Sequence, residues 1–292
     1  MLCTRHVYKT DAMAPRRDPS PLRWLIGVEL GRYRESTGLS LSEVAERTGM
    51  SRAKVGHLET GFQQQDPDDI ATLLALYEVE PRGVDRLTTL TTCADRTTWW
   101  APWAHVLPDW LKTFVGLEGL AEAEFIFEPM AFPGLLQTEE YATAITAETP
   151  RVRPDHGERV VAFRLARANR LTDKKNPLRL HAVIGEASLR LAIGTPEIRR
   201  AQLAHLIKMA KLPNVTIQVI RPEDGFHSAL SGKFSLLEFE QARPIAYTEL
   251  HDGAIYLQDQ DQVRSYRLSA ENLQQVALGP EKSVELLRSM IE

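Results

Sequence analysis

The chain has 292 residues, 43% of them hydrophobic and 25% charged, and its formal net charge at pH 7 is −4. This length allows two domains of ordinary size, and the net charge excludes a protein that is basic all over, so any nucleic-acid surface must be local. No stretch reaches the roughly 18 to 20 apolar residues that cross a bilayer, and the start lacks the apolar core of a secretion signal, so we expect a globular cytoplasmic protein without a membrane span. The two cysteines, Cys3 and Cys93, are too few for a disulfide framework or a structural zinc site.

The start of the chain combines scattered charge with two prolines and shows no hydrophobic periodicity. This pattern predicts a flexible arm over residues 1–20. The basic residues of the arm leave a contact with DNA open, and a disordered tail is the favoured interpretation.

Residues 21–91 carry the start and stop signals of five helices. Apolar residues recur at helical spacing from Leu22, and Gly38 marks the end of the first helix. Ser40, with Glu43 three residues later, predicts a capping box that opens the second helix. Gly49 ends that helix and leads into a tight turn.

Ser51 then predicts the N-cap of a third helix, which ends at Thr60-Gly61. Asp66-Pro67 opens a fourth helix, because proline is tolerated at the first helical position. A shorter fifth helix follows over residues 81–91. Together these signals predict an all-α, five-helix domain.

The third helix is the candidate reader of DNA. Two helices joined by a tight glycine turn hold the second one clear of the surface, where it can enter the major groove. With Val55 and Leu58 directed inward, the helical period directs the opposite side of the helix outward. The predicted DNA-binding residues are Ser51, Arg52, Ala53, Lys54, Gly56, His57 and Thr60.

The outward residues match the chemistry of the major groove. Arg52 can present two donors to guanine, His57 can donate or accept, and Ala53 offers a methyl surface to thymine. Lys54 projects sideways and suits a phosphate. Against this, residues 21–91 contain eight basic and eleven acidic side chains, and an ordinary helical bundle with a solvated basic face is the alternative. DNA reading is favoured because the caps and turns occur together at the required spacing.

The segment GLSLSEVAERTGMSRAKVGHLETG, residues 38–61, resembles the helix-turn-helix of the lambda-repressor and Cro class, also called the XRE family. The resemblance implies that Arg34 pairs with Glu59 to hold the third helix in place. Two departures weaken the expected contact with phosphate: Leu41 stands where many members have a glutamine, and Gln63–Gln65 replaces a segment that is often more basic. We therefore expect modest affinity per domain and a homodimer that presents two reading helices about one DNA turn apart.

Residues 92–113 contain four tryptophans and two prolines, which predicts a connector docked onto a domain. Residues 114–292 mix helical and β-rich patterns, so the predicted fold is a larger α+β domain with a mixed or antiparallel sheet. The predicted helices span residues 114–123, 138–147, 156–171, 186–192, 196–211 and 270–290. The predicted strands span residues 124–127, 178–184, 215–220, 234–239, 245–250 and 254–257.

Four segments of this domain resemble the domain of unknown function of WhiJ-like regulators of actinobacteria. They are PGLLQTEEYA (133–142), FRLARANRL (163–171), IGEASLRLAIGTPEIRRAQLAHL (184–206) and PNVTIQVI (213–220). The resemblance implies a pleiotropic regulator of development or secondary metabolism. It also implies a small acidic partner protein encoded nearby, and some relatives are antitoxin-like.

Two groups of residues in this domain are candidates for a partner or a ligand. Arg164, Arg167 and Arg170 recur at helical spacing, so they either bind an acidic partner or an anionic ligand or form a solvated helix face, which is favoured. Tyr141 and Tyr247 either line an aromatic pocket, together with other rings, or belong to the core. The partner or ligand candidates are Tyr141, Arg164, Arg167 and Tyr247.

Catalytic and metal-binding patterns are weak. Glu249, His251 and Asp252 cluster at a predicted strand end, but a hairpin turn at Asp252-Gly253 is favoured over a catalytic or metal site. The sequence lacks the nucleophile elbow, the phosphate-binding loop and the zinc-binding motifs of common enzymes. We therefore expect no enzyme activity, no cofactor and no metal. The rival hypotheses are an enzyme with a DNA-binding head and an antitoxin-like protein-binding module controlled by a small neighbour.

Overall fold

A computed structural model describes residues 21–92, 99–150, 152–240 and 242–291. The predicted arm over residues 1–20 and both cysteines lie outside the described residues. The described chain divides into two compact units, one made of residues up to 102 with 108–117, the other of residues 103–107 with those from 118 onward. Within these ranges no helix is both long and apolar enough to cross a membrane.

The first unit contains the five predicted helices: α1 (Pro21–Thr37), α2 (Leu41–Thr48), α3 (Arg52–Glu59), α4 (Pro67–Leu76) and α5 (Pro81–Thr91). Their apolar stripes meet in one core, in which every helix takes part. The core residues are Ile26, Leu30, Val44, Val55, Leu58, Ile70, Leu73, Leu74, Tyr77 and Leu87.

The predicted caps are confirmed. Ser40 Oγ accepts a hydrogen bond from the Glu43 backbone, and the Glu43 carboxylate accepts one from the Ser40 backbone, which completes the capping box of α2. Gly49 ends α2 at a φ of 72°, a left-handed conformation that favours glycine. Asp66 caps α4, with Pro67 at the first helical position.

The second unit is an α+β domain with a six-stranded mixed sheet. Its strands are β1 (Ala123–Glu128), β2 (Arg179–Gly185), β3 (Val215–Ile220), β4 (Phe234–Glu238), β5 (Ile245–Glu249) and β6 (Ala254–Leu257), in the order β3-β2-β1-β4-β5-β6. The first three strands are parallel and the remaining pairs are antiparallel. Every predicted strand agrees with an observed one to within one residue at each end.

The helix α6 (Asp109–Leu120) crosses the division between the units, which falls after residue 117. In the described part of the second unit, six further α-helices accompany the sheet: α7 (Glu139–Ala147), α8 (Gly157–Ala168), α9 (Glu186–Arg190), α10 (Pro196–Met209), α11 (Gln260–Val276) and α12 (Pro280–Ser289). The prediction of one helix over residues 270–290 was wrong. Ala277 adopts an extended backbone that ends α11, and Pro280 opens α12 as its first residue. The amphipathic pattern continues through this break, which is why periodicity alone joined the two helices.

The two faces of the sheet differ in character. Phe125 and Phe127 of β1 pack with Leu273 of α11 in an apolar core. The alternation of a strand directs Glu124 and Glu128 to the opposite face. That face therefore carries carboxylates, and the charged residues of α8 act on it.

Candidate functional site

The outer side of α3 presents the polar residues that the sequence predicted. Arg52, Ala53 and His57 are exposed, whereas Val55 and Leu58 on the inner side have no exposed surface. Gly56 is half-buried, and a Cβ atom there would lie 3.9 Å from Leu41 Cδ1, an ordinary contact. The helix is therefore fixed by its apolar side and has a polar side available to a ligand.

The two hydroxyl residues at the ends of α3 hold its backbone. Ser51 Oγ accepts a hydrogen bond from the Lys54 backbone at 3.1 Å, and Thr60 Oγ1 donates to the Gly56 carbonyl at 3.0 Å. Both residues are exposed, so these bonds leave them at the same surface as Arg52.

An ion pair joins α1 to the end of α3, as the resemblance implied. Arg34 donates from Nε to Glu59 Oε1 at 2.7 Å and from Nη2 to Glu59 Oε2 at 3.0 Å. Its remaining terminal nitrogen donates to the Leu39 carbonyl at 2.9 Å. The guanidinium thus fixes both α3 and the turn before α2.

The structural roles of three residues in or near α2 and α3 were not predicted from the sequence. Leu41 is half-buried and packs against the helical core, so the position that is often polar serves packing here. Gln65 is buried and donates to the carbonyls of Leu58 and Arg23, at 2.8 and 3.0 Å. Phe62 is 56% exposed, and its ring centroid lies 5.2 Å from that of His57. None of the three has a local sequence signal, because each role depends on a neighbour that folding brings close.

Lys54 is held by a carboxylate on the next helix. Its Nζ lies 2.7 Å from the carboxylate of Asp69 on α4, and both side chains are partly exposed. The predicted phosphate contact therefore has a competitor within the domain.

We expect Asp69→Asn to strengthen non-specific DNA binding, because it releases Lys54 to a phosphate. One added phosphate contact should increase the slope of log affinity against log salt by about one. The matched control is Asp68→Asn, which removes the same charge from an exposed neighbour. The measurement is fluorescence anisotropy of a labelled duplex across a salt series. Equal slopes for the two variants would show that Asp69 does not compete with a phosphate for Lys54.

The arginines of the second unit correct the predicted solvated face. Arg167 makes a bidentate ion pair with Glu118, whose side chain is only 1% exposed. Arg170 donates to the carbonyls of Ala121 and Asn176. Both arginines are therefore structural, because their guanidinium groups are engaged by partners within the domain.

Glu124 lies beside this ion pair and is fully buried within the sheet. Burial first, and then the charge of Glu118, raises its pKa to about 8, against the opposing effect of Arg167. The unfolded chain ionises this carboxyl near pH 4.5, while the folded chain keeps the proton, so stability falls as pH rises from about 4.5 to 8.

We expect Glu124→Gln to reduce the slope of the unfolding free energy against pH in this range, because the variant has no proton to lose at this position. Urea unfolding at several pH values measures this slope. The control is Glu122→Gln at an exposed position, which we expect to keep the wild-type slope. Part of the slope should remain, because burial also raises the pKa of Glu128 to about 7. A Glu124→Gln slope equal to that of the wild type would contradict a protonated Glu124.

The aromatic candidates do not line a common pocket. Tyr141 is 1% exposed and packs against Phe132, whereas Tyr247 is 5% exposed and packs against Tyr256. The tyrosines belong to the core, yet Tyr141 lies within the electrostatic reach of Arg164 and Tyr247 within that of Arg167.

The predicted hairpin after β5 is confirmed. β5 and β6 are antiparallel, and the Leu250 backbone donates to the Gly253 carbonyl at 2.8 Å across the turn. Glu249 accepts a hydrogen bond from Lys233.

In the predicted connector, residues 93–98 lie outside the described chain. The Trp103 ring lies 6.1 Å from that of Phe163.

Two family models match the chain, one in each of its two parts. Residues 25–87 match the model of a family described as "Helix-turn-helix domain", and this domain indicates a DNA-binding regulator of transcription. Residues 111–289 match the "Domain of unknown function (DUF5753)", so the chain belongs to the DUF5753 family. Searches of curated proteins and of solved structures gave no significant match.

Proposed function

We propose that the protein is a sequence-specific transcriptional regulator of development or secondary metabolism that acts in the cytoplasm. The observation that carries the proposal is the outer side of α3, where Arg52 and His57 are exposed on a helix whose inner side is fully buried. Arg52 reads guanine through two donors, and His57 contacts an adjacent base edge. Ser51, Ala53, Gly56 and Thr60 form the surrounding surface, and Lys54 contacts a phosphate once it leaves Asp69.

The acidic balance of the helical domain is compatible with this role. Glu29 is only 3% exposed and pairs with Arg32 and Arg86, and Glu59 is 11% exposed and pairs with Arg34. These pairs use three arginines together with two carboxylates and leave the net charge of the domain unchanged, so attraction to DNA has to come from the local surface of α3.

We further propose that the regulator binds as a homodimer. One domain offers few free cations, and two reading helices on one duplex raise the affinity through their high effective concentration. Light scattering of the protein with and without DNA tests this, and a monomer under both conditions would exclude it.

In this proposal the DUF5753 domain has no enzyme activity. It binds a small acidic partner protein or an effector. The second candidate function is an antitoxin-like module whose DNA-binding head a neighbouring small protein controls. Co-purification with the product of an adjacent gene, followed by loss of DNA binding in that complex, would favour the second candidate.

Selection from a pool of random duplexes tests sequence reading directly. We expect enrichment of a two-fold symmetric site whose half-sites are about 10 base pairs apart. Repeating the selection with Arg52→Ala should relax the preference at one guanine per half-site, whereas Arg200→Ala, an exposed arginine on α10, should leave the site unchanged. A wild-type pool without any enriched sequence would overturn the proposal.

A further inference from the structure

Three charged side chains of both signs meet at one edge of the sheet, and a fourth, Arg164, lies within their electrostatic reach. Glu128 ends β1 and Glu249 ends β5, while Lys233 directly precedes β4. Because β4 runs antiparallel to both β1 and β5, its start lies at the edge where those strands end. Arg164 of α8 completes the group, since both carboxylates act on its charge.

One ammonium group serves two carboxylates in this cluster. Lys233 Nζ lies 2.9 Å from Glu249 Oε2 but 3.6 Å from Glu128 Oε1. Glu128 therefore makes the longer of the two contacts. Its side chain is 17% exposed, so it is mostly buried. Burial, in the first place, raises the pKa of Glu128 to about 7 against the effect of Lys233. Glu128 thus shares its cationic partner with Glu249, which lies closer to it.

Arg164, in turn, is a buried cation without a carboxylate in contact. In the described chain its guanidinium makes one hydrogen bond, from Nη1 to Gln137 Oε1 at 3.2 Å, and its Nε is buried without an acceptor. Among the same residues no carboxylate oxygen lies within 4.0 Å of it, whereas Arg167, one turn further along α8, has the bidentate partner Glu118. Burial, followed by the repulsion of Arg167, lowers the pKa of Arg164. A buried guanidinium without an anion is costly.

We propose that this edge binds a small zwitterion carrying a carboxylate and a primary amine, the class to which free amino acids belong. The ligand carboxylate accepts hydrogen bonds from Arg164, and its ammonium donates to Glu128. A ligand with both charges relieves both deficiencies at once. A simple anion would meet the two carboxylates of the cluster, and a simple cation would meet Arg164.

The position of the cluster suits a ligand site. In open sheets with parallel strands, ligands commonly bind outside the carboxyl ends of those strands, and Glu128 ends β1, the parallel strand that borders the antiparallel part of the sheet. The residues that follow the strand ends include exposed apolar side chains, Met130 after β1 and Leu250 after β5, at 56% and 43% exposure. They are available to an apolar part of the ligand. The inference rests on the proposed function, because it gives a chemical class to the effector of the DUF5753 domain.

Calorimetric titration of the full chain without DNA tests the inference. The probes are the common free amino acids together with β-alanine and γ-aminobutyrate, which vary the spacing of the two charges. We expect saturable binding of at least one probe. For that probe, N-acetylation of the amine or methylation of the carboxylate should each weaken binding about tenfold or more. Absence of binding across the panel at millimolar concentration, or equal binding of the blocked forms, would overturn the proposal.

Two variants locate the site. Arg164→Gln and Glu128→Gln should each weaken binding of the same probe, while Arg200→Gln leaves it unchanged. The blocked probes are tested on the wild-type chain, so the result does not depend on the folding of a variant. DNA binding is measured separately on the same preparation. Zwitterion binding without DNA binding would contradict only the proposed function, and the reverse result would contradict only this inference.

Discussion

Arg167→Met is expected to destabilise the DUF5753 domain by about 3 to 5 kcal/mol, because it leaves the Glu118 carboxylate buried without its cation. Glu118 is 1% exposed and receives two hydrogen bonds from this one guanidinium. The measurement is the free energy of unfolding in urea, followed by a probe within the domain. Adding Glu118→Gln to Arg167→Met should recover part of the loss, since position 118 then carries no charge that needs a cation.

The control for this prediction is Arg179→Met. Arg179 also pairs with a glutamate, Glu122, at 3.4 Å, but the two side chains are 65% and 45% exposed. An exposed pair of this kind contributes less than about 1 kcal/mol. Equal losses for the two arginine variants would show that burial of the Arg167 pair is not what stabilises the domain.

Glu59→Gln is expected to destabilise the helix-turn-helix domain by about 2 to 3 kcal/mol and to reduce DNA affinity with it. The pair with Arg34 is largely buried, and it orients α3 relative to α1, so its loss affects both stability and reading. Thermal unfolding and DNA titration of the same preparation measure the two effects together.

Glu46→Gln provides the matched charge change on α2, where the side chain is exposed. We expect it to retain stability and to bind DNA at least as well as the wild type, because it removes one repulsive charge. If Glu59→Gln behaved in the same way, the ion pair would have no role in placing the reading helix.

The sequence predicts the features that depend on local signals. Ser40, Gly49 and Asp66 predict the helix boundaries through caps and turns, and short β-rich runs predict all six strands. The outward side of α3 follows from the same reasoning, because Val55 and Leu58 define the direction of the core.

Features that depend on distant partners did not follow from the sequence. Arg167 meets Glu118, 49 positions earlier in the chain, and Lys54 meets Asp69 on another helix. Helical spacing shows which side chains share a face but gives no information about what covers that face. The unpartnered Nε of Arg164 likewise became visible only once the fold had placed its neighbours.

The central claim is that α3 reads DNA, and one titration tests it most directly. A duplex from the protein's own promoter region is bound across a salt series by the wild type, Arg52→Ala, His57→Ala and the control Arg200→Ala. The account predicts salt-sensitive binding by the wild type and the control, and an affinity lower by about five- to a hundredfold in each α3 variant, with the unfolding midpoint unchanged. Equal affinity of all four proteins, or no binding by a dimeric wild type, would contradict it.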